Sequence, residues 1–463
     1  MEARDRDSAR VVEWLEAHFE GRVVSIDRQP RWRPVWFADV EREGETLALC
    51  VRGDRSDAQI GFTLEHEMRF QQLLGERGIP VSRVHGWIDE PRAYVMDRVD
   101  GRPDFEGTSS EDRRRAMDDY ISILARIHSL EPEPFADAGI LRAPEPAQSG
   151  LIGMQAYEQA YRRRKKQPDP FLEFCLGWLA RNPVDTRSRE TPIVWDSGQF
   201  HQRDGRIVAV LDLEIGHIGD PMMDLAGFRM RDTILGFGDF GELYDRYAEI
   251  TGEPVDIAAI QHHHLAFTLT NQLAFHAALA DPPAESDFMT NLQWCSETNL
   301  FAVEALAEIL GLELPPVEIP EPRESPIATA HRHLVTSLRE LETSAPNTQH
   351  AVRILFRLAR HTARFDEIGD ATSQADLDDL GELLGRRPAS WQEGAAARAR
   401  YVQADGGVHD AELALLFHRR LTRLKALLGP AGSAMARHLP IQPFSKRSEP
   451  HTTGSASDPT PSA

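Results

Sequence analysis

The chain has 463 residues, 41% hydrophobic and 8% aromatic, with a formal net charge of −21. That length allows two or three domains of ordinary soluble composition, and so acidic a balance argues against nucleic-acid binding as the main activity. No apolar run reaches transmembrane length, no secretory signal is recognisable, and Cys50, Cys175 and Cys295 lie far apart with one necessarily unpaired, so a reducing cytoplasm without membrane attachment is the expected setting.

From the N-terminus, Val11, Val12, Leu15 and Phe19 recur at helical spacing and predict a helix from Ser8 to Phe19. Strands are expected over Val35–Val40 and Thr46–Arg52, joined by a turn at Glu43-Gly44, and a helix over Leu64–Leu74 that carries Glu67. The stretch Arg92–Val99 reads as a strand running into Asp100-Gly101. A helix follows over Ser109–Leu130, and helical spacing returns over Gln155–Arg164, Phe171–Arg181, Phe228–Gly252, Ile257–Leu279 and Met289–Leu310.

The most informative segment lies inside that helical region. Asp204-Gly205 is tight-turn chemistry, and the β-branched run Arg206–Leu213 after it predicts a hairpin with Asp212 at the end of a buried strand. Side chains alternate along a strand, so Asp212 and Glu214 are expected on one side, where both can reach one cation. Magnesium, a hard ion, prefers such carboxylates together with phosphate oxygens and water. Gly219-Asp220-Pro221 is a turn, with Asp220 placed to cap a helix that starts near Met222. His262, His263 and His264 are consecutive, so on a helix they point about 100° apart and cannot share one ion; no metal reading is attached to them.

The string LDLExxHIGDPxxDLA, from Leu211 to Ala226, resembles the metal-binding segment of the aminoglycoside phosphotransferase superfamily, which includes choline-kinase-like enzymes. Within it, the string is most similar to the branch of kinase-like domains fused to some acyl-CoA dehydrogenases. The resemblance implies an α+β, protein-kinase-like, two-lobed fold. A small β-sheet N-lobe would take residues 1–100 and a helical C-lobe residues 101–315. It also implies an ATP- and magnesium-dependent kinase acting on a hydroxyl of a small molecule. Asp212, with Glu214 and Gln199, would hold magnesium, Asp196 would orient the acceptor hydroxyl, and Asp220 and Asp224 would keep the loop in shape.

On the same resemblance Arg52 stands where a strand-three lysine is usual, with Glu67 as its partner, and backbone atoms from Met96 to Arg98 would meet an adenine. Met222-Met223 and Arg229-Met230-Arg231-Asp232 would line the acceptor side of the cleft. Two departures stand out. Members of the superfamily typically read His-Gly-Asp, four residues, then Asn, whereas this chain reads Trp195-Asp196-Ser197-Gly198-Gln199, a loop shorter by two residues. The loop from Arg28 to Pro34, where a phosphate-covering turn is expected, has no glycine, and Arg28, Arg31 and Arg33 either contact phosphates through their side chains or only solvate the loop. These departures keep open a non-catalytic pseudokinase that binds a ligand or acts as a scaffold.

Beyond the resemblance, a proline-rich linker is expected over residues 316–326 and a helical bundle over residues 327–442. Helices are predicted over Ile327–Leu341, His350–Phe365, Gln374–Leu384, Trp391–Tyr401 and Asp410–Leu428. Arg419, Arg420, Arg423 and Lys425 give the last helix a basic face, either solvated or a surface for a partner, including a homodimer through the bundle. A disordered tail is expected over residues 443–463.

Overall fold

A computed structural model describes residues 2–29, 33–54, 61–184, 189–283, 286–343, 346–429 and 438–444. Arg31 and the expected tail beyond Phe444 lie outside the described residues. Helix α1 (Glu2–Phe19) leads into strands β1 (Arg22–Arg28), β2 (Val35–Arg42) and β3 (Glu45–Gly53), then helix α2 (Leu64–Glu76) and strands β4 (Val84–Ile88) and β5 (Ala93–Asp97). The five strands form one antiparallel sheet in the order β1-β2-β3-β5-β4.

Strand alternation decides what each face of this sheet carries. Trp36, Ala38 and Val40 of β2, Leu49 and Val51 of β3, and Ala93 and Val95 of β5 pack with Val11, Leu15 and Phe19 of α1 into one small core. The intervening residues, Arg52 on β3 and Tyr94 and Met96 on β5, belong to the other face. There the Tyr94 hydroxyl donates to Glu67 Oε1 at 3.2 Å, and the Gln71 amide approaches Met96 Sδ at 3.4 Å, both from α2. A period of two therefore sends Arg52 away from the N-terminal core and toward the rest of the molecule.

The remainder is mostly helical: α3 (Ser110–His128), α4 (Glu133–Asp137), α5 (Ile152–Arg164), α6 (Pro170–Arg181), four short strands β6 (Thr191–Ile193), β7 (Phe200–Arg203), β8 (Arg206–Val210) and β9 (His217–Gly219), then α7 (Pro221–Leu235) to α15. The architecture is thus α+β and kinase-like, a small antiparallel sheet lobe followed by a helical one. The β7–β8 hairpin turns on Asp204 and Gly205, at φ 53° and 74°, the left-handed pair that a two-residue hairpin turn requires.

Several expected helices have different limits. The run expected from Phe228 to Gly252 is two helices, because α7 ends in a left-handed cap at Gly236 and α8 (Phe240–Thr251) starts afresh on an Asp239 cap. Next come α9 (Ile257–Thr268) and α10 (Thr270–Ala280), separated at Leu269, then α11 (Phe288–Leu310) and α12 (Ala328–Glu340). Two helices expected over 350–384 are one, α13 (Pro346–Leu384). No proline lies between Pro346 and Pro388 to interrupt it, and Gly369 and Gly381 cost only about 1 kcal/mol each.

The last two helices are α14 (Trp391–Asp405) and α15 (Asp410–Leu427). Leu413, Leu416, Phe417 and Leu421 of α15 are buried in the same core as Leu172 and Phe174 of α6 and Phe301 and Leu306 of α11. The C-terminal helices therefore complete the core of the helical lobe. The basic face of α15 is turned inward as well. Arg420 and Arg423 pair with Asp376, Arg419 and Arg423 with Asp379, and Lys425 with Glu297. No helix among the described residues is long and apolar enough to cross a membrane.

Candidate active site

The loop between β6 and β7 is held by one carboxylate. Asp224, fully buried on α7, accepts from the backbone N–H of Val194 at 3.0 Å and of Trp195 at 2.5 Å, from Ser197 Oγ at 2.8 Å and from His128 Nε2 at 2.9 Å. Trp195 has φ 63°, a left-handed conformation that costs a side chain of this size of order 1 kcal/mol or more. The Asp224 contacts hold it there, and α7 approaches so closely that a Cβ at Gly227 would collide with the Trp195 carbonyl. Gly198, at φ 88°, donates its N–H to the Tyr120 hydroxyl at 2.6 Å. Asp220 caps α7 by accepting from Met222 N at 2.9 Å. Trp195 itself is buried against Tyr157, His217 and Phe267.

This anchoring presents Asp196 and Gln199 toward Asp212. The Gln199 side-chain nitrogen donates to Asp196 Oδ2 at 2.7 Å and to Asp212 Oδ2 at 3.0 Å, and the Gln199 carbonyl accepts from Leu211 N at 2.9 Å. The loop, although two residues shorter than the superfamily's, thus brings Asp196 and Gln199 together with Asp212. Asp196 Oδ1 is engaged by Arg231, at 3.1 Å from Nε and 2.5 Å from Nη2.

Strand alternation is not what gathers Asp212 and Glu214. Strand β8 ends at Val210, Asp212 has φ 56°, and Glu214 sits in the turn that follows. Both carboxylates nevertheless face the same cations from the sheet lobe. Asp212 Oδ1 lies 2.7 Å from Arg52 Nη2, and Glu214 Oε2 lies 2.9 Å from Arg33 Nη2 and 3.9 Å from Arg52 Nη2. Glu67 joins the two arginines from behind, with Arg52 Nε at 2.6 Å from Oε1 and Arg33 Nη1 at 3.2 Å from Oε2. The expected Arg52–Glu67 pair is formed, and it is buried.

The electrostatics of the two aspartates diverge. Burial raises the Asp196 carboxyl, with Asp212 adding to the effect, and Arg231 only partly offsets it. Burial also works to raise Asp212, but Arg52, Arg33 and Arg231 outweigh it and hold that carboxyl well below the usual carboxylate range. Two carboxylates on one amide with proton affinities pushed apart are the pattern of a division of roles.

Other expectations change. The N–H groups of Asp97 and Arg98 donate to Arg83 O at 3.0 Å and Ala48 O at 2.9 Å, and Met96 is paired in the sheet with Cys50 and Val84. The backbone N–H groups of Asp97 and Arg98 are thus engaged within the sheet lobe, and the Arg98 side chain pairs with Asp39 at 2.7 Å. Met222, Met223 and Met230 are buried core, and Arg229 is tied to Glu308 at 2.7 Å and to the Gln442 carbonyl at 2.5 Å. Only Arg231 of that run reaches the site. His262, His263 and His264 are buried, and burial lowers all three, His262 to about 4 and His263 to about 3.

Two residues matter more than their letters indicated. Arg33 was one of three indistinguishable loop arginines, and His128 carried no signal, since its partner Asp224 is 96 residues away.

A sheet lobe over a helical lobe, with carboxylates and arginines facing one another between them, is a kinase-like arrangement. Residues 62–261 match the phosphotransferase enzyme family. It is similar to acyl-CoA dehydrogenase family member 11 of Homo sapiens, 26% identical over 247 residues, covering 48% of this chain and 31% of that protein. The Rattus norvegicus counterpart is 27% identical over 216 residues, covering 44% of this chain and 27% of that protein. The chain therefore spans less than a third of the length of these relatives. Among solved structures, it resembles the choline kinase LicA from Streptococcus pneumoniae with TM-score 0.45 and 14% identity, over 65% of this chain and 98% of that one.

Proposed function

We propose that the chain is an ATP- and magnesium-dependent kinase that phosphorylates a hydroxyl of a small molecule. The observation that carries this reading is the Gln199 amide bridging Asp196 and Asp212 while Arg52, anchored by Glu67, sits on Asp212. Phosphoryl transfer asks mainly for positioning and charge neutralisation, and this arrangement offers both.

Among the described residues no group of three or more His, Cys, Asp or Glu side chains is arranged to hold a metal. Two carboxylates and an amide oxygen nonetheless fit magnesium, which is usually held by one or two carboxylates with substrate phosphates and water completing its shell. Asp212, with Glu214 and Gln199, would hold it. Magnesium, when bound, supplies charge neutralisation at the phosphates.

The remaining roles fall to the chain's own groups. Asp196, raised by burial, would accept a hydrogen bond from the acceptor hydroxyl and take its proton as the oxygen attacks. Arg231 keeps Asp196 oriented, and the Asp224 clamp keeps the loop from shifting. Arg52 would contact phosphate oxygens bidentately, which its planar guanidinium suits. An adenine would lie against the backbone from Met96 to Arg98, at the end of β5. Cys175 and Cys295 are buried free thiols, which suits the reducing cytoplasm proposed as the compartment.

One observation favours a pseudokinase instead: Asp196, Asp212, Glu214 and Glu67 each already carry an arginine partner. A screen of alcohols and amino alcohols for ATP consumption separates the two. The kinase reading predicts turnover with at least one acceptor and a loss of about a hundredfold or more in Asp196→Asn. Equal turnover by that variant removes Asp196 from the mechanism, and no turnover with any acceptor favours the pseudokinase.

A further inference from the structure

The loop between β1 and β2 has no glycine through which backbone amides could close over phosphates, yet its Arg33 is buried, at 2% exposure, and extends into the space between the lobes. We propose that Arg33 binds nucleotide phosphates directly, forming with Arg52 a two-guanidinium clamp for a nucleoside di- or triphosphate. This rests on the kinase reading and deepens it, giving to a side chain the work that backbone amides do in a glycine-rich loop.

The geometry of the five-residue ion-pair network supports the assignment. Glu67 anchors both arginines by separate oxygens, Oε1 to Arg52 and Oε2 to Arg33. Each guanidinium is thereby fixed from the sheet-lobe side and turns its Nη2 toward the helical lobe. The groups met there are anions: Asp212 Oδ1 at 2.7 Å from Arg52, and Glu214 Oε2 at 2.9 Å from Arg33 and 3.9 Å from Arg52. One carboxylate oxygen thus lies within reach of both guanidiniums, the arrangement that a bridging phosphate oxygen uses. A guanidinium is permanently charged and weakly hydrated, so it exchanges one oxyanion for another without a change of protonation.

Asp212 and Glu214 are in this view the anions that occupy the clamp before phosphate arrives. Phosphate oxygens that take over the two Nη2 groups leave these carboxylates available for the cation proposed above. A single guanidinium would serve one phosphate, whereas two with a common anchor favour a polyphosphate. The ligand class is therefore a nucleoside di- or triphosphate, with the nucleoside itself contributing little at Arg33.

Isothermal titration calorimetry of the full chain with ATP, ADP and adenosine, in the presence of magnesium, tests this. Arg33→Gln is expected to weaken ATP and ADP about tenfold or more while leaving adenosine within about twofold, and Arg33→Lys to recover part of the loss. Because Arg33→Gln leaves Glu214 without its nearer cation, Arg33→Gln/Glu214→Gln is measured against Glu214→Gln alone, and the loss relative to that single variant should persist at an unchanged melting temperature. Wild-type affinity for ATP in Arg33→Gln overturns this assignment alone, as does an equal loss for ATP and adenosine, which marks a structural role. Absence of nucleotide binding by the wild-type chain overturns the kinase reading and the clamp together.

Discussion

Burial acts on Asp196 and Asp212 alike, and the difference between them comes from their cations. Asp196 has one arginine, Arg231, beside it and stays raised, whereas Asp212 faces Arg52 and Arg33 and is lowered. The sign follows for each. Asp212, being lowered, keeps its ion pairs until the pH has fallen well below the usual carboxylate range. Asp196, being raised, loses its charge first as the medium is acidified. If Asp196 takes the acceptor proton, the acid limb of a kcat/KM profile should lie above about pH 4, the ordinary aspartate value. Conservative replacement of Asp212 by Asn should lower activity without moving whatever limb remains; a limb that follows Asp212 instead would exchange the two roles. At this scale the sequence was informative where one residue type is demanded by local chemistry. Asp220 at a helix start and Asp204-Gly205 at a hairpin could be read directly, because turns and caps are decided within four residues. The Arg33–Glu67–Glu214 contacts could not, since 34 residues separate the first pair and nothing local distinguishes Arg33 from Arg28.

Elements follow the same division. The apolar stripe of α15 was plain at 3.6-residue spacing, but a stripe says only that a face is buried, not against what. In the structure Phe417 stacks on Phe174 at 5.5 Å and meets Phe171 edge-on at 5.2 Å, so α15 seals the core of the helical lobe. Arg420 and Arg423, which the pattern left as a solvated or partner-binding face, are taken up by Asp376 on α13. Charge on a helix is ambiguous until the packing partner is known. Phe417→Ala should therefore destabilise the whole chain by about 3–5 kcal/mol in denaturant unfolding, with one cooperative transition. A change below about 1 kcal/mol, or a separate transition for the C-terminal helices, would mean that they form an independent unit. The division of α7 from α8 was missed because Gly236 and Gly238 were read through an otherwise continuous apolar rhythm, although a left-handed glycine cap ends a helix.

For the whole molecule, the two lobes meet in two ways: Phe62, Phe70 and Leu74 of the sheet lobe pack into the cores of the helical lobe, and the cleft beside them is closed by charge. Arg52 and Arg33 from the sheet lobe reach Asp212 and Glu214 of the helical lobe, and His66 Nε2 lies 2.6 Å from the Gly216 carbonyl. A contact built this way can be exchanged for a ligand that brings its own charge, which a packed apolar interface cannot. The two-lobed architecture was legible from the order of strands and helices together with one specific string, while the state of the cleft between the lobes depended on long-range pairing. The central claim, that Asp212 serves a metal-associated nucleotide between the lobes, is tested most directly by thermal unfolding with millimolar ATP, with and without magnesium, in the wild-type chain and in Asp212→Ala. Ligand at a hundred times its Kd stabilises by about 2.7 kcal/mol, so the wild-type chain should melt several degrees higher with ATP and magnesium together, and the variant should lose that rise. No rise in the wild-type chain, or the same rise in Asp212→Ala, would contradict the account.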